Sequence, residues 1–357
     1  MAHSHTMIGG NGRESYSKNS TYQRALLEAT KEKIDEAVSM KLDLGIASSH
    51  FNVADFGCST GPNTFVAVRN IIDAVEHKFR RQTQQNPKEI DETNRNNPKE
   101  IEFQVFFNDH SNNDFNTLFK TLPPPTTREY FAVGVPGSFY SRVLPRNNLH
   151  LGHCSYSLHW LSQVPENVTE FNKDSIHCTG FVKEVTEAYL GQFKIDFGSF
   201  LDARAQELVS GGLLMLLGSC LPDGVQMSET MKGKIIDCAG SCLGDMAKSG
   251  LIEREKVESF NMPIYFAQES EFKQVIEKNG GFTIEKMERV SHENEEFPSD
   301  ARFLRDSYRA AFGGVAEASF GGDMVDKMMD LFEEKVHEFI DKPTKAGMQF
   351  FVLLRRN

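Results

Sequence analysis

The sequence lacks an excess of positive charge, a long apolar run and a recognisable export signal. Lysine and arginine total 39 against 50 aspartate and glutamate residues, a formal net charge of −11. Nucleic acids and anionic membranes bind mainly through phosphates, so an acidic chain argues against both as the main partner. No apolar run reaches the ~20 residues of a membrane span, and the polar start has no signal-peptide pattern. We therefore expect a cytoplasmic protein that binds neither nucleic acid nor membranes.

Cysteine is scarce and irregularly spaced. The chain has six cysteines and no C-x-x-C motif. Cys238 and Cys242 are four residues apart and could share one side of a helix, but two thiols without a third ligand do not make a zinc site. We expect buried free thiols rather than disulfides.

Helical and strand patterns alternate along the 357 residues, a length that suffices for one enlarged α/β domain or two ordinary domains. Apolar spacing predicts strands at 51–56, 101–107, 130–135, from 149, 213–217, 282–290 and 348–355. It predicts helices at 22–38, 64–79, 200–208, 227–257, 271–278, 301–312 and 323–340. The alternation indicates a mostly parallel α/β sheet, and the late helices predict a helical cap over its carboxyl edge. Residues 82–100 lack apolar periodicity and predict a flexible surface insertion.

Residues 53–64, VADFGCSTGPNT, form the most informative segment. The apolar residues favour a strand, the two glycines let a ligand approach the backbone, and the polar residues that follow can cap a helix. The capping candidates are Ser59, Thr60 and Asn63. The glycine spacing is not G-x-G-x-x-G, and Asp55 would repel a pyrophosphate. A cationic or uncharged adenosine ligand such as S-adenosylmethionine fits better, with an ordinary strand-turn-helix as the alternative.

Two later segments place ligand-binding groups after strands. Asp109 follows the second predicted strand, where its carboxylate can accept hydrogen bonds from both ribose hydroxyls of an adenosine ligand. The loop at 133–140 can place Ser138 at the adenine edge and Phe139 on the adenine face. In each case the alternative is an ordinary turn.

A further segment, residues 155–162, contains the only tryptophan of the chain. The indole N–H of Trp160 can donate to a carboxylate oxygen while the ring walls an apolar pocket. His159 is either a general base or a wall of that pocket. A lone tryptophan in the core is the alternative.

Eight blocks in unbroken order cover nearly the whole chain and resemble the plant SABATH methyltransferases. The blocks are 14–16, 20–24, 54–64, 108–109, 113–116, 134–140, 155–162 and 257–263. That family comprises carboxyl methyltransferases of salicylate, benzoate, jasmonate, indole-acetate, nicotinate and farnesoate, and the caffeine-pathway N-methyltransferases. The resemblance implies a Rossmann-like methyltransferase sheet, S-adenosyl-L-methionine as methyl donor, and a homodimer.

Carried over residue by residue, the resemblance implies a donor site and an acceptor site. The residues implied to bind S-adenosylmethionine are Tyr16, Asp55, Cys58, Asn63, Asp109, Ser138 and Phe139. Gln23 and Trp160 are implied to hold the acceptor carboxylate and are our candidate catalytic residues. The implied walls of the acceptor pocket are Tyr156, His159, Ile235, Ile236, Tyr308 and Phe350.

The resemblance also carries a possible metal site and three departures from the family pattern. Some members contain Mg²⁺, and their pattern falls on Asn172, Glu258, Phe260 and Asn261. Glu258 stands where the family usually has aspartate. Ile8 replaces a lysine of salicylate-specific members, and His110 stands where leucine is common.

The predicted organisation places an N-terminal active-site segment before the S-adenosylmethionine-binding core. The segment is 1–23 and the core is 24–225, of which 156–185 contributes to the cap. The mainly helical cap is 226–345, with core elements near 271–290. The final core strand is 346–357.

The expected function is methyl transfer from S-adenosyl-L-methionine to the carboxylate of a small, largely apolar plant acid, which gives a methyl ester and S-adenosylhomocysteine. Positioning and desolvation suffice, because a carboxylate is already ionised at neutral pH. One alternative is N-methylation of a xanthine-like heterocycle, where His159 gains importance. Another is a methyltransferase-like protein that binds a hormone acid without turnover.

Overall fold

The computed structural model of the chain describes residues 6–10, 12–47, 50–85, 101–291 and 300–357. Strands within these ranges form one seven-stranded sheet in the order β3-β2-β1-β4-β5-β7-β6. The strands are β1 (His50–Phe56), β2 (Glu102–Asp109), β3 (Tyr130–Pro136), β4 (Leu149–Ser155), β5 (Leu208–Cys220), β6 (Phe282–Arg289) and β7 (Met348–Arg356). Pairs from β3 to β5 are parallel, and β7 runs antiparallel to both of its neighbours. The predicted mostly parallel α/β sheet is confirmed.

The helices contribute to three clusters of buried apolar residues, two on the faces of the sheet and one beyond it. They are α1 (Thr21–Ala29), α2 (Lys31–Lys41), α3 (Asn63–Gln85), α4 (Phe115–Thr121), α5 (Val168–Phe171), α6 (Lys183–Glu207), α7 (Met231–Lys248), α8 (Arg254–Ser259), α9 (Glu269–Asn279), α10 (Ala301–Phe320) and α11 (Gly322–Val336). Buried residues of α1, α2 and α3 cover one face of the sheet, and those of α6 and α9 cover the other. Helices α7, α10 and α11 share a third cluster beyond the sheet. This helical layer corresponds to the predicted cap.

The central strands form because their residues are buried on both faces. All of β1 after His50 is buried, as are Leu213 to Cys220 of β5. Strands of a parallel sheet covered by helices read as continuous apolar runs rather than alternating ones. Because β1 pairs in parallel with both β2 and β4, the carboxyl ends of the three strands meet at one edge of the sheet. Open α/β sheets bind ligands at this edge.

The structure corrects several predicted boundaries. The helix predicted over 22–38 is the pair α1 and α2, because Thr30 interrupts it. Its Oγ1 donates to the carbonyl oxygens of Leu26 at 2.9 Å and Leu27 at 3.2 Å. The hydroxyl thus competes with backbone N–H groups for the carbonyl oxygens that accept the hydrogen bonds of the helix. The helix predicted at 200–208 is only the end of α6, and β5 begins directly at Leu208. Helices α4 and α5 had no counterpart in the prediction.

The predicted flexible insertion at 82–100 lies almost wholly outside the described residues. Residues 82–85 belong to the last turn of α3, so that helix extends beyond the predicted end at 79. Helices of the described chain are all too short or too polar to cross a membrane.

Candidate active site

The turn after β1 is fixed by a glycine and by contacts to β2. Gly57 has φ of +82°, and a Cβ at this position would collide with the side chain of Ser157. Only glycine meets both conditions without strain. The backbone N–H groups of Gly57 and Cys58 donate to the carbonyl oxygen of Asn108 at 2.9 and 3.0 Å. The ends of β1 and β2 are thus held together.

Asp55 is buried beneath this turn and is held from two sides. Its Oδ1 lies 2.7 Å from Nδ1 of His153 on β4, and its Oδ2 accepts a hydrogen bond from Oγ1 of Thr64 on α3. His153 is only 1% exposed, and its Nε2 has no hydrogen-bond partner among the described residues. Sequence reasoning missed His153, although a histidine inside an otherwise apolar strand was a signal for a buried polar role.

Asp109 receives its hydrogen bonds from the backbone. The N–H of Ser59 donates to Oδ2 at 2.7 Å, and the N–H of His110 donates to Oδ1 at 2.8 Å. Burial raises the pKa of Asp109, and these two donors oppose that shift. Carboxylate oxygens retain further lone pairs, so Asp109 can still accept bonds from a ligand.

The three expected helix caps do not cap α3 through their side chains. The amide Nδ2 of Asn63 donates to the carbonyl oxygen of Ser20 at 3.0 Å, which ties the N-terminal region to α3. The hydroxyls of Ser59 and Thr60 are buried without a hydrogen-bond partner in the part of the chain that the structure describes. Ser59 lines cavities described below, so its hydroxyl is available to a ligand there.

The loop after β3 is held by a buried ion pair from the end of α6. Arg204 donates to the carbonyl oxygens of Phe139 at 2.8 Å and Ser141 at 3.0 Å, and its Nε lies 2.7 Å from Oε2 of Glu207. Oε1 of Glu207 accepts the N–H groups of residues 143 and 144 at 2.6 and 2.9 Å. Both charged side chains are fully buried. They fix the loop that presents Ser138 and Phe139.

Three adjoining cavities lie between this edge of the sheet and the helical layer, each named after a charged residue. The Asp109 cavity is lined by Met7, Tyr16, Gly57, Ser59, Asp109, His110, Asn113, Phe139, Tyr140, Ser155, Tyr156, Ser157, Trp160, Leu161 and Ser162. The Asp55 cavity is lined by Tyr16, Gln23, Leu27, Asp55, Gly57, Cys58, Ser59, Gly61, Asn63, Thr64, Ala67, His153, Ser155 and Tyr156. The Lys232 cavity is lined by Met7, Tyr16, Tyr22, Gln23, Tyr156, His159, Trp160, Lys232, Ile235, Ile236, Phe266, Leu304, Ser307, Tyr308, Ala311 and Phe312.

The cavities meet at a few shared residues. Tyr16 and Tyr156 line all three, Gln23 lines the Asp55 and Lys232 cavities, and Trp160 lines the Asp109 and Lys232 cavities. The N-terminal segment reaches this junction because the N–H of Ile8 donates to the carbonyl oxygen of Ala310 on α10. The three cavities therefore form one continuous site with two parts, one at the sheet edge and one under the helical layer.

Aromatic rings dominate the wall of the Lys232 cavity. His159 stacks on Phe266 with ring centroids 4.8 Å apart, and Trp160 lies 5.4 Å from Phe312. Burial, together with the nearby charge of Lys232, lowers the pKa of His159 to about 3. The imidazole is thus neutral at physiological pH and a very weak base.

A polar network that sequence reasoning missed lies at the inner end of the Lys232 cavity. Nζ of Lys232 donates to Oγ of Ser219, which lies 3.2 Å from Oε1 of Gln349. Tyr156 donates to the same oxygen at 2.7 Å, and Nε2 of Gln349 donates to the hydroxyl of Tyr22. Gln349 is the one polar residue in the otherwise apolar run 348–354 of the terminal strand, which was the available signal.

Phe350 lies away from this pocket. Its ring packs in the sheet core against Phe272 of α9, with centroids 4.9 Å apart. Successive residues of a strand point to opposite faces, so Gln349 faces the cavity side while Phe350 faces α9. Among the described residues that line the Lys232 cavity are Tyr156, His159, Ile235, Ile236 and Tyr308, whereas Phe350 is not one of them.

The residues predicted for Mg²⁺ do not fit that ion. Nδ2 of Asn172 donates to Oδ1 of Asn261 at 2.6 Å, and the carboxylate of Glu258 lies 2.6 Å from Nε of Arg254. Phe260 packs its ring in the helical layer. Mg²⁺ requires converging oxygen ligands, usually including carboxylates, and here the only carboxylate pairs with an arginine. Within the described ranges no group of three or more histidine, cysteine, aspartate or glutamate residues could hold a metal.

The sheet order and the continuous site at the carboxyl ends of β1, β2 and β4 define a Rossmann-like methyltransferase. The chain belongs to the family described as SAM dependent carboxyl methyltransferase, whose sequence model matches residues 2–357. The predicted family, methyl donor and enzyme class are thereby confirmed.

Named relatives and a solved structure extend over the same length. The chain is 53% identical to farnesoic acid carboxyl-O-methyltransferase of Arabidopsis thaliana, with 100% of each sequence covered. It is 50% identical to paraxanthine methyltransferase 2 of the same plant, with 98% of each covered. The structure of a loganic acid methyltransferase with SAH superposes with a TM-score of 0.90 at 42% identity, with 98% of each chain covered.

Proposed function

We propose that this enzyme methylates the carboxylate of a small, largely apolar acid, which Gln23 and Trp160 hold at the donor. One observation carries the proposal: Gln23 is common to the Asp55 and Lys232 cavities, and Trp160 is common to the Asp109 and Lys232 cavities. A carboxylate bound by these two side chains lies where the Lys232 cavity opens toward the donor.

The donor occupies the two cavities at the sheet edge. In the Asp109 cavity, Asp109 accepts the ribose hydroxyls, and Phe139 with neighbouring Ser138 contacts the adenine. The methionine part lies in the Asp55 cavity, where Asp55 attracts its ammonium group. The remaining contacts of this part are Tyr16, Cys58 and Asn63.

The acceptor needs positioning rather than a base. Its carboxylate is ionised at neutral pH, so no proton has to be removed. In-line alignment of the nucleophilic oxygen with the methyl–sulfur bond contributes roughly 7–11 kcal/mol, more than the roughly 10²–10⁴-fold typical of acid–base assistance. One oxygen is bonded by Gln23 and Trp160 while the other faces the methyl group.

The pocket lining supports an apolar acceptor body. Ile235, Ile236 and Leu304 join the aromatic residues around the Lys232 cavity. Two relatives are named for farnesoic and loganic acid, both carboxylic acids. The replacement of a lysine by Ile8 weakens the case for salicylate. We therefore place terpenoid-like acids first among candidate acceptors.

N-methylation is the second candidate, because a 50% identical relative is named paraxanthine methyltransferase 2. A ring N–H must lose its proton before or during transfer. The low pKa of His159, about 3, makes it a poor acceptor for that proton. The weak basicity of His159 therefore favours a carboxylate over a ring N–H as the methyl acceptor.

The test is a panel of carboxylic acids and xanthines assayed with labelled S-adenosylmethionine. We expect base-labile methyl esters from at least one acid. In Gln23→Ala and Trp160→Ala variants, kcat/KM for that acid should fall about 10- to 100-fold per variant, the effect of one lost hydrogen bond to a charged group.

The control variant is Gln82→Ala, which alters an exposed glutamine on α3 remote from the site. It should leave kcat/KM unchanged, and all three variants should bind S-adenosylhomocysteine with nearly the native affinity. Stable N-methyl products, or unchanged turnover of acids by both site variants, would refute the assignment.

The homodimer and the cytoplasmic location stay predictions. The family resemblance supports the dimer, and light scattering at several protein concentrations tests it.

A further inference from the structure

Resting on the proposed function and deepening it, we propose that Lys232 supplies the counter-charge for the acceptor carboxylate and so selects acids over neutral heterocycles. Lys232 is near the start of α7, on the wall of the Lys232 cavity. It belongs to neither the donor residues nor the Gln23–Trp160 pair.

Fixed neighbours hold the ammonium group in place. Nζ donates to Oγ of Ser219 and lies 5.1 Å from the ring centre of Tyr22, 5.9 Å from that of Tyr156 and 5.4 Å from that of Phe266. Cations within about 6 Å of aromatic faces are stabilised by them. The charge is thus positioned without needing to reorganise when an anion arrives.

The neighbours also show which end of the pocket is charged. Tyr156 lines all three cavities, and Tyr22 immediately precedes Gln23. Lys232 therefore lies next to Tyr156, a residue at the junction of the three cavities, and in the same cavity lining as Gln23. A carboxylate placed between these groups gains a charge-assisted contact, and a neutral ring does not.

The protonation of Lys232 links acceptor binding to pH. Burial of the ammonium lowers the pKa of Lys232 to about 7. Titratable groups that contact or electrostatically interact with Lys232 are Tyr22, Tyr156, His159 and Cys220. Tyr16 and Tyr308 line the same cavity, and burial raises the pKa of both hydroxyls. Burial raises the pKa of Tyr156 far above 10 and that of Cys220 to about 12, and the pKa of His159 is about 3, so these three remain neutral around pH 7.

An anion binds the protonated form of Lys232 more strongly, so acceptor binding must raise its pKa. Binding above pH 7 should then take up a proton, and the KM of the acid should rise as pH increases beyond 7. A neutral acceptor should cause no such proton uptake, and its KM should not rise above pH 7.

Two variants separate charge from packing. Lys232→Met keeps the length of the side chain but removes the charge, and Lys234→Met does the same at an exposed position of α7. For the best acid of the panel, Lys232→Met should raise KM on the order of 10- to 100-fold and abolish the rise of KM above pH 7. Its affinity for S-adenosylhomocysteine and its kcat at saturating acid should change far less. Lys234→Met should behave like the native enzyme.

Calorimetry on the native enzyme provides a test that does not depend on a variant. The same acid is titrated into the S-adenosylhomocysteine complex at pH 8 in phosphate and in Tris, whose ionisation enthalpies differ. Uptake of close to one proton supports the inference, and no uptake overturns it. An unchanged KM in Lys232→Met overturns it as well. If the native enzyme methylates xanthines and no acid, the proposed function itself fails, which is a different result from acid turnover that ignores Lys232.

Discussion

His153 holds Asp55 from one side at the end of β1, and it comes from a strand almost a hundred positions further along the chain. The two side chains are 1% and 5% exposed, and the N–O distance is 2.7 Å. A buried carboxylate that loses its donor carries an uncompensated desolvation cost. The molecule also contains a surface counterpart, His77 with Asp35 at 3.3 Å, with side chains 56% and 40% exposed.

His153→Phe should therefore lower the free energy of unfolding by about 3 kcal/mol and weaken S-adenosylhomocysteine binding. His77→Phe should change stability by no more than about 0.5 kcal/mol, because solvent screens the exposed pair. Urea denaturation measures the free energy of unfolding of both variants, and titration calorimetry measures their affinity for S-adenosylhomocysteine. Equal losses in both variants would show that burial of the pair is irrelevant.

At the scale of elements, α6 does more than cover the sheet. Its last turn carries Arg204 and Glu207, which together bind four backbone groups of the loop after β3. The guanidinium also lies 4.1 Å from the ring centre of Phe56, the last residue of β1. The loop that presents Ser138 and Phe139 thus depends on the end of α6 for its conformation.

We expect Arg204→Met to destabilise the protein by about 3–5 kcal/mol, the effect of breaking a buried pair. Hydrogen exchange at 137–144 should accelerate, and S-adenosylhomocysteine affinity should fall. Arg254→Met is the control, because Arg254 is 81% exposed in its pair with Glu258. A destabilised Arg204→Met protein with native exchange at 137–144 would contradict a positioning role.

Across the whole molecule, the edge of the sheet is tied to the helices on one face by ion pairs. Glu285 on β6 lies 2.7 Å from Nζ of Lys41 on α2 and 2.6 Å from Nε of Arg355 on β7. Hydrogen bonds from Lys41 and then Arg355 lower the pKa of Glu285. A carboxyl group with a lowered pKa stabilises the folded state above its unfolded pKa, and that contribution is lost as pH falls through the folded value.

Glu285→Gln should accordingly lower the free energy of unfolding by about 1 kcal/mol at pH 7. The difference from the native protein should shrink below pH 4.5, the ordinary glutamate value, and vanish at more acidic pH, where the native carboxyl is protonated too. Thermal unfolding of both proteins from pH 7 to below pH 4.5 measures this difference in stability. Glu277→Gln, in an exposed pair with Lys273 at 3.9 Å, should show no such pH dependence.

Much of the fold could be predicted because local pattern and tertiary environment agree. The strands of the parallel part are mostly apolar, and residues 53–64 contain the glycines that the turn after β1 requires. Helix α6 was mostly missed for the opposite reason. Its buried face includes Gln192, Asp196, Arg204 and Glu207, polar residues that hide the helical spacing of apolar ones.

The sequence by itself determined the α/β class, the acidic turn after β1 and the order of the segments that identify the family. These are properties of neighbouring residues, which local sterics and apolar periodicity dictate. Only the tertiary structure decided that His153 holds Asp55, that Phe350 faces the core, and that Lys232 lines the cavity under the helical layer. Each depends on residues far apart in the chain, whose contacts arise when the sheet and the helical layer pack together.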